Sequence, residues 1–197
     1  MRWTVHGEKA VYDSEWMRLV LADVELPDGV RFDHHVVRFP REASGTVVHD
    51  LERGLLLLWR HRFITDTWGW EIPAGGVDDD ETPRQAAERE TIEETGWRPG
   101  PLRLLTAYSP SNGATDQVFN LFVADGATYI GPPTDVFESE RIEWVPLDKA
   151  RRLIAEGRVQ DGLSLTALLW FFAFETVEAE AVEAEAVEAE AVEAPES

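Results

Sequence analysis

Residues 75–97 read Gly-Gly-Val-Asp-Asp-Asp-Glu-Thr-Pro-Arg-Gln-Ala-Ala-Glu-Arg-Glu-Thr-Ile-Glu-Glu-Thr-Gly-Trp, and the rest of the chain is organised around this stretch. Thr82, Pro83 and Gln85 have the order of an N-cap, a first-turn proline and a capping-box partner, and Gly96 suits the residue just past a helix end. The spacing predicts a helix over 83–95. On it Glu90 and Glu94 lie four apart and Glu93 three from Glu90, so three carboxylates crowd one face near the C-terminal end. Like charges at these spacings repel, and a helix C-terminus disfavours anions, so a cation belongs there. Hard oxygen ligands with no histidine or cysteine cluster favour Mg²⁺ or Mn²⁺ over zinc.

A glutamate-rich helix is ordinarily a solvated face, and an isolated Glu-x-x-Glu-Glu would be read that way. Here Gly75, Glu81, Arg89 and Gly96 stand in register with the three glutamates. Arg89 cannot ligate a metal, but its guanidinium can hold a neighbouring carboxylate in place. The pattern resembles the Nudix box, a Gly, a Glu six residues on, then Arg-Glu-u-x-Glu-Glu-x-Gly-u with u bulky and apolar. Seven fixed positions coincide by accident at a given start about once in 10^8. The first apolar position holds Thr91, a mild polar replacement that bears on local packing more than on chemistry.

The 197 residues, 44% apolar, suffice for one proper core, and length alone favours one main domain. From Val177 onward an Ala/Glu/Val five-residue repeat contains eight Glu and no Lys or Arg. Steps of five place successive Val about 140° apart on a helix, so no apolar face and no heptad results. Glu pairs three apart repel, and a frayed helix or disordered acidic tail is expected over 176–197. Removing eight charges from the net −20 leaves −12, the wrong sign for a non-specific nucleic-acid binder. With no Cys, disulfides and thiol catalysis are excluded, and a reducing cytoplasm fits. No N-terminal signal pattern is present, and the most apolar run, 163–174, is too short to span a bilayer.

Strands are expected over 16–26 and 30–39 around the turn Pro27-Asp28-Gly29, forming a small antiparallel sheet within residues 1–42. A second hairpin is expected from 46–49 and 54–60. A strand over 68–72 leads through Pro73-Ala74-Gly75-Gly76 into the glutamate helix. Strands over 102–108, 118–124 and 141–146 and helices over 147–157 and 161–175 complete an α/β domain over 43–175, with a mixed sheet between helices.

Beyond the box, the chain from about Trp3 to Phe174 resembles the ADP-ribose pyrophosphatase group of Nudix hydrolases. The resembling pieces are Leu-Pro-Asp-Gly at 26–29, Trp-Arg-His-Arg-Phe at 59–63, Trp-Glu-Ile-Pro-Ala-Gly-Gly at 70–76, Tyr-Ser-Pro at 108–110 and Ala-Glu-Gly-Arg-Val at 155–159. The resemblance implies an α/β/α sandwich and cleavage of the diphosphate of nucleoside diphosphate sugars. It also implies a homodimer that can exchange the N-terminal sheet, and a proline like Pro110 that accompanies ADP-ribose preference. The loop 109–117 departs from the family's Ser-Pro-Gly and nearby Asp-Glu: it runs Ser-Pro-Ser-Asn-Gly-Ala-Thr-Asp-Gln.

Diphosphate hydrolysis needs neutralised phosphate oxygens, a positioned water and a base. Glu90 and Glu94 are the first candidates for metal ligands, with Glu93 a third ligand or water orienter. The resemblance adds the Ala74 carbonyl as a ligand and a loop glutamate, Glu138 or Glu140, as base, with Glu93 the competing base. For either loop glutamate, a solvated acidic loop is the plain alternative. Arg60 and Arg62 suit bidentate anion contacts with phosphate or the terminal ribose, or else form a strand-end charged pair. Trp68 or Trp70 could stack on adenine, though buried tryptophan is the default. A Mg²⁺-dependent hydrolase of ADP-ribose or a related nucleoside diphosphate sugar is thus the leading expectation. The alternatives are a GDP-sugar or nucleoside triphosphate hydrolase, a nucleotide-sugar binding module without catalysis, and an interaction protein acting through its tail.

Overall fold

A computed structural model describes residues 1–175; the expected acidic tail, 176–197, lies outside the described residues. In chain order the elements are β1 (Thr4–Asp13), β2 (Arg18–Glu25), β3 (Arg31–Arg38), β4 (Ala43–Asp50), β5 (Gly54–Arg62), β6 (Thr67–Glu71), β7 (Ala74–Gly76), α1 (Pro83–Thr95), β8 (Trp97–Pro99), β9 (Leu102–Tyr108), β10 (Phe119–Asp125), β11 (Ala127–Tyr129), β12 (Arg141–Val145), α2 (Leu147–Ala155) and α3 (Gly162–Trp170), which continues as a π-helical turn, Phe171–Glu175.

Strands β1, β2 and β3 form the small antiparallel sheet. The hairpin at Pro27-Asp28-Gly29 forms as the turn chemistry requires, with Gly29 at φ 88° and the Asp28 side chain accepting the Val30 N–H. The ten-residue β1 was not expected, because Thr-Val-His-Gly-Glu-Lys-Ala-Val-Tyr-Asp has no clean alternation and every residue of it is exposed.

The main sheet is mixed, in the order β12-β5-β4-β10-β9, with β6 on β5 and β7 on β4. The expected hairpin of the fourth and fifth strands pairs only at its turn, His49 with Leu55 and Asp50 with Gly54. Beyond it β4 runs parallel to β10 and β5 takes β6 and β12. Leu55 to Leu58 are all at most 1% exposed, so β5 is buried on both faces, as a strand between two helical layers must be. Each such leucine contributes roughly 1.5–3 kcal/mol of burial. Alternation sends Leu55, Leu57 and Trp59 into the main core with α3, and Leu56, Leu58 and Arg60 to the opposite face, beneath α1.

Two buried hydroxyls fix α1 to the sheet: Ser44 donates to the Pro83 carbonyl at 2.7 Å and Thr46 to the Ala87 carbonyl at 3.1 Å. On the other face Ser164 Oγ of α3 accepts the Ile72 N–H at 3.2 Å. The result is an α/β/α sandwich with the mixed sheet between α1 and α3. Sequence patterning passed over β7, β8 and β11, because three residues are too few to show a period. Among the described residues no helix is long and apolar enough to cross a membrane.

Candidate active site

Helix α1 begins and ends where local chemistry directs. Gln85 donates its backbone N–H to the Thr82 hydroxyl and returns its side-chain oxygen to the Thr82 N–H at 2.9 Å, a closed capping box. Gly96 takes φ 74°, and a Cβ there would overlap the Gly131 carbonyl. Thr91 is fully buried and satisfied within the helix, donating to the Ala87 carbonyl at 2.7 Å.

The framed glutamates occupy different surroundings. Glu94, 1% exposed, accepts the Ala74 backbone N–H at 2.9 Å on one carboxylate oxygen and the Arg60 guanidinium on the other. Burial pushes its pKa up to about 8, against the pull of Arg60 and the Ala74 N–H. Burial likewise raises Glu90, against Arg89, which donates to it at 2.8 Å. Gly75 sits directly against the Glu90 carboxyl, so close that any Cβ at 75 would overlap it. Glu93 accepts from the same Arg89 nitrogen at 2.8 Å.

Arg89 organises the box. It donates to both oxygens of Glu81, at 3.1 and 2.7 Å, and to the Gly76 carbonyl at 2.9 Å, joining the turn before α1 to the glutamates on it. Those bonds hold Arg89 charged and lower the Glu81 pKa. Among the described residues no three His, Cys, Asp or Glu side chains already enclose a common point; the box oxygens face arginines instead. The donor set nevertheless fits a hard divalent cation: three carboxylates from one helix, two with pKa values raised by burial, and a glycine cradle that admits Glu90 to the backbone of the preceding turn.

The remaining expected residues divide. Arg60 is 3% exposed and engaged with Glu94; its Nη1 lies 3.5 Å from Glu138 and its Nε 3.7 Å from Glu71. Arg62, half exposed, grips Glu71 through three hydrogen bonds of 2.6–3.2 Å. Glu138 belongs to the loop 130–140, whose Thr134 and Asp135 N–H groups donate to the Glu93 carbonyl at 2.9 and 3.1 Å. Glu140 donates its N–H to the Trp59 carbonyl at 2.9 Å, and its side chain is exposed. Trp70 is buried at 5%, and Trp68 stacks on Trp59 at 6.0 Å, on the face opposite Arg60. Pro110 is exposed and is not among the residues lining the cleft described next.

A cleft of about 510 Å³ separates the N-terminal sheet from the box, lined by Trp16, Phe39, Arg41 and Gln117 on one side and Arg89 and Glu90 on the other. The loop 109–117 braces this wall: Asp116 accepts the Phe39 N–H at 2.9 Å, and Ala114 accepts the Val37 N–H at 2.9 Å. Trp16, Phe39 and Arg41 were not singled out from sequence, because they face the box only through the packing of a second sheet. The one local signal was Phe39-Pro40-Arg41, an aromatic and a cation held two apart by a proline.

Comparison with known proteins supplies the deciding observation: a family model described as "NUDIX domain" matches residues 39–168. The chain belongs to the Nudix family. A second model, "Nucleoside diphosphate sugar hydrolase N-terminal domain", matches residues 3–37, the three-stranded sheet. Among relatives, the chain is 46% identical to the CMP-5'-(N-acetyl-N-hydroxy-3-aminopropyl)phosphonate hydrolase of Streptomyces rubellomurinus, over 80% of this chain and 76% of that protein. It is 27% identical to the ADP-ribose pyrophosphatase of Bacillus subtilis, over 88% and 95%. A solved structure described as an ADP compounds hydrolase superposes with a TM-score of 0.80 at 21% identity, covering 90% of this chain and 96% of that one, and shares the Nudix fold. This Nudix protein is accordingly a hydrolase, and α1 with its preceding turn is its box.

Proposed function

We propose that this protein is a Mg²⁺- or Mn²⁺-dependent hydrolase that cleaves the diphosphate of ADP-ribose or a related nucleoside diphosphate sugar, yielding a nucleoside monophosphate and a sugar phosphate. The observation that carries the reading is the cleft, which sets Arg89 and Glu90 of the box across from Trp16 in the β1–β2 turn and from Phe39 and Arg41 just past β3, beside the N-terminal sheet that the nucleoside diphosphate sugar hydrolase model matches. Glu90 and Glu94, with Glu93 and the Ala74 carbonyl, are the residues that would hold the cation. Bound there, a divalent ion supplies neutralisation of the phosphate oxygens and a more acidic water. Arg89 orients Glu90 and Glu93 while staying charged. Arg62 is the exposed guanidinium for a phosphate or ribose contact, and Pro110 an outer contact for the sugar. For the base we favour Glu138 over Glu140 and Glu93, because its carboxylate lies on the Glu94 side of the loop, 3.5 Å from Arg60.

The N-terminal sheet exposes Trp3, Val5, Val11 and Tyr12, each more than half accessible, which supports a homodimer formed through it. A second reading, a nucleoside monophosphate joined to a phosphonate, is favoured by the 46% identity to the CMP-phosphonate hydrolase. Relative kcat/KM for ADP-ribose, ADP-glucose, GDP-mannose, a CMP-linked phosphonate and nucleoside triphosphates tests both. The highest value on a diphosphate sugar supports the first reading; the highest value on the phosphonate replaces it with the second.

A further inference from the structure

Residues 39–42 are the covalent link between the N-terminal sheet, whose last strand ends at Arg38, and the main sheet, whose first strand begins at Ala43. Two of them, Phe39 and Arg41, line the cleft. Pro40 has no N–H to donate, so a strand ladder breaks at this link. Side chains of the loop 109–117 stand in for it. The Asp116 carboxylate accepts the Phe39 N–H at 2.9 Å on Oδ1, and the Gln117 amide donates to the Arg41 carbonyl at 3.0 Å. Backbone bonds secure both ends of the same stretch, Val37 donating to the Ala114 carbonyl and Ala43 to the Val118 carbonyl, each at 2.9 Å. On its other oxygen Asp116 takes the Arg38 guanidinium at 3.3 Å, and Arg38 also binds Glu8 of β1. This clamp is built by the loop whose sequence, Ser-Pro-Ser-Asn-Gly-Ala-Thr-Asp-Gln, departs from that of the family.

The two cleft residues are not held by burial. Phe39 is 38% exposed, and Arg41 crosses to Asp78 in the turn before α1, at 2.9 Å with both side chains about half exposed. The backbone of 39–42 therefore decides where an aromatic face and a cation stand relative to Glu90, and a displacement of about 1 Å is enough to spoil such placement. We propose that Asp116, assisted by Gln117, is a positioning residue for substrate: it holds Phe39 and Arg41 at the distance from the box at which they grip the part of the substrate beyond the reacting diphosphate. The inference rests on the hydrolase reading given above. It gives the loop a part in KM and none in metal binding or the chemical step, because the clamp's bonds go to the link and not to the box glutamates. The Phe39 N–H requires an acceptor oxygen and not a charge. That requirement separates this role from an exposed ion pair with Arg38, which by itself is worth little.

Steady-state kinetics on the best substrate, Mn²⁺ titration and amide hydrogen exchange at Phe39 test it on the full chain. Asp116→Ala should raise KM about tenfold or more, with kcat and Mn²⁺ affinity each within about threefold of the parent. Asp116→Asn keeps an oxygen for the Phe39 N–H and loses only the charge facing Arg38, so its KM should stay within about threefold. Exchange of the Phe39 amide should quicken in the alanine variant and not in the asparagine one. Phe39→Ala combined with Arg41→Ala removes what the clamp holds, so adding Asp116→Ala to that pair should raise KM by less than about twofold more. Should Asp116→Ala melt too early for kinetics, Gln117→Met, which keeps the side-chain length and loses the donor to the Arg41 carbonyl, should raise KM about threefold or more with kcat unchanged. An unchanged KM, a loss confined to kcat, equal damage by alanine and asparagine at 116, or a full further rise in the triple variant overturns the clamp and leaves the hydrolase reading intact. No cleavage by the parent of any nucleoside diphosphate sugar or CMP-linked phosphonate overturns that reading and the inference with it.

Discussion

Lowering the pH from 9 to 6 should weaken divalent-ion binding about 90-fold, or ~2.7 kcal/mol, through Glu94 alone. Only the carboxylate form ligates a metal, and burial lifts this carboxyl to about 8. Its ionised fraction is then about 0.9 at pH 9 and about 0.01 at pH 6, and the apparent Kd rises in that ratio. Glu90, also raised by burial, acts in the same direction and steepens the dependence. The metal-free fold has the opposite preference. Because the folded pKa lies above the ordinary value of 4.5, the stability Glu94 contributes is fully present below pH 4.5 and is lost as pH rises through about 8. Added metal should thus raise the melting temperature most on the alkaline side. Mn²⁺ titrations by calorimetry at one-unit intervals, with parallel melting curves, read both effects. A Kd that changes less than about threefold between pH 6 and 9, with metal stabilisation independent of pH, would refute the assignment of Glu94 as a buried, proton-competed ligand.

Glu94→Gln should abolish turnover, by about 10³-fold or more, while the circular dichroism spectrum stays that of the parent; activity within a few-fold of the parent and unchanged metal dependence contradict the box assignment. Gly75→Ala should displace the Glu90 carboxyl, because the added methyl overlaps it, and should reduce kcat at least tenfold with a melting temperature only a few degrees lower. Normal turnover there would mean Glu90 is not held in the cradle the structure shows. Deleting residues 177–197 should leave kcat and KM unchanged, and a large drop would give the acidic repeat a catalytic role.

What could be read from sequence was local. Helix α1 was expected over 83–95 and spans Pro83–Thr95, because its cap, first-turn proline and terminal glycine all act within a few residues. The crowding of Glu90, Glu93 and Glu94 followed from helical periodicity in the same way. Strand pairing was much less legible. The parallel partnership of β4 with β10 joins segments some seventy residues apart and leaves no mark on either beyond apolar content. Separation in sequence also hid the environment of Arg60, whose partner Glu94 lies 34 residues away. After Leu55 to Trp59 the run Arg60-His61-Arg62 looks like the charged end of a strand, yet Arg60 is buried because Glu94, on another element, receives it. Arg62, two residues on, is the exposed one. The cleft wall of Trp16, Phe39 and Arg41 likewise depends on how the N-terminal sheet sits against the box, which no spacing within either segment encodes.

The measurement that bears most directly on the central claim is product analysis in ¹⁸O-labelled water, with Mg²⁺ and with chelator, on ADP-ribose and the other nucleoside diphosphate sugars. The account predicts a nucleoside monophosphate and a sugar phosphate, one of them carrying a single ¹⁸O, only when Mg²⁺ is present. Release of neither product from any member of the panel, or equal release under chelation, would contradict it.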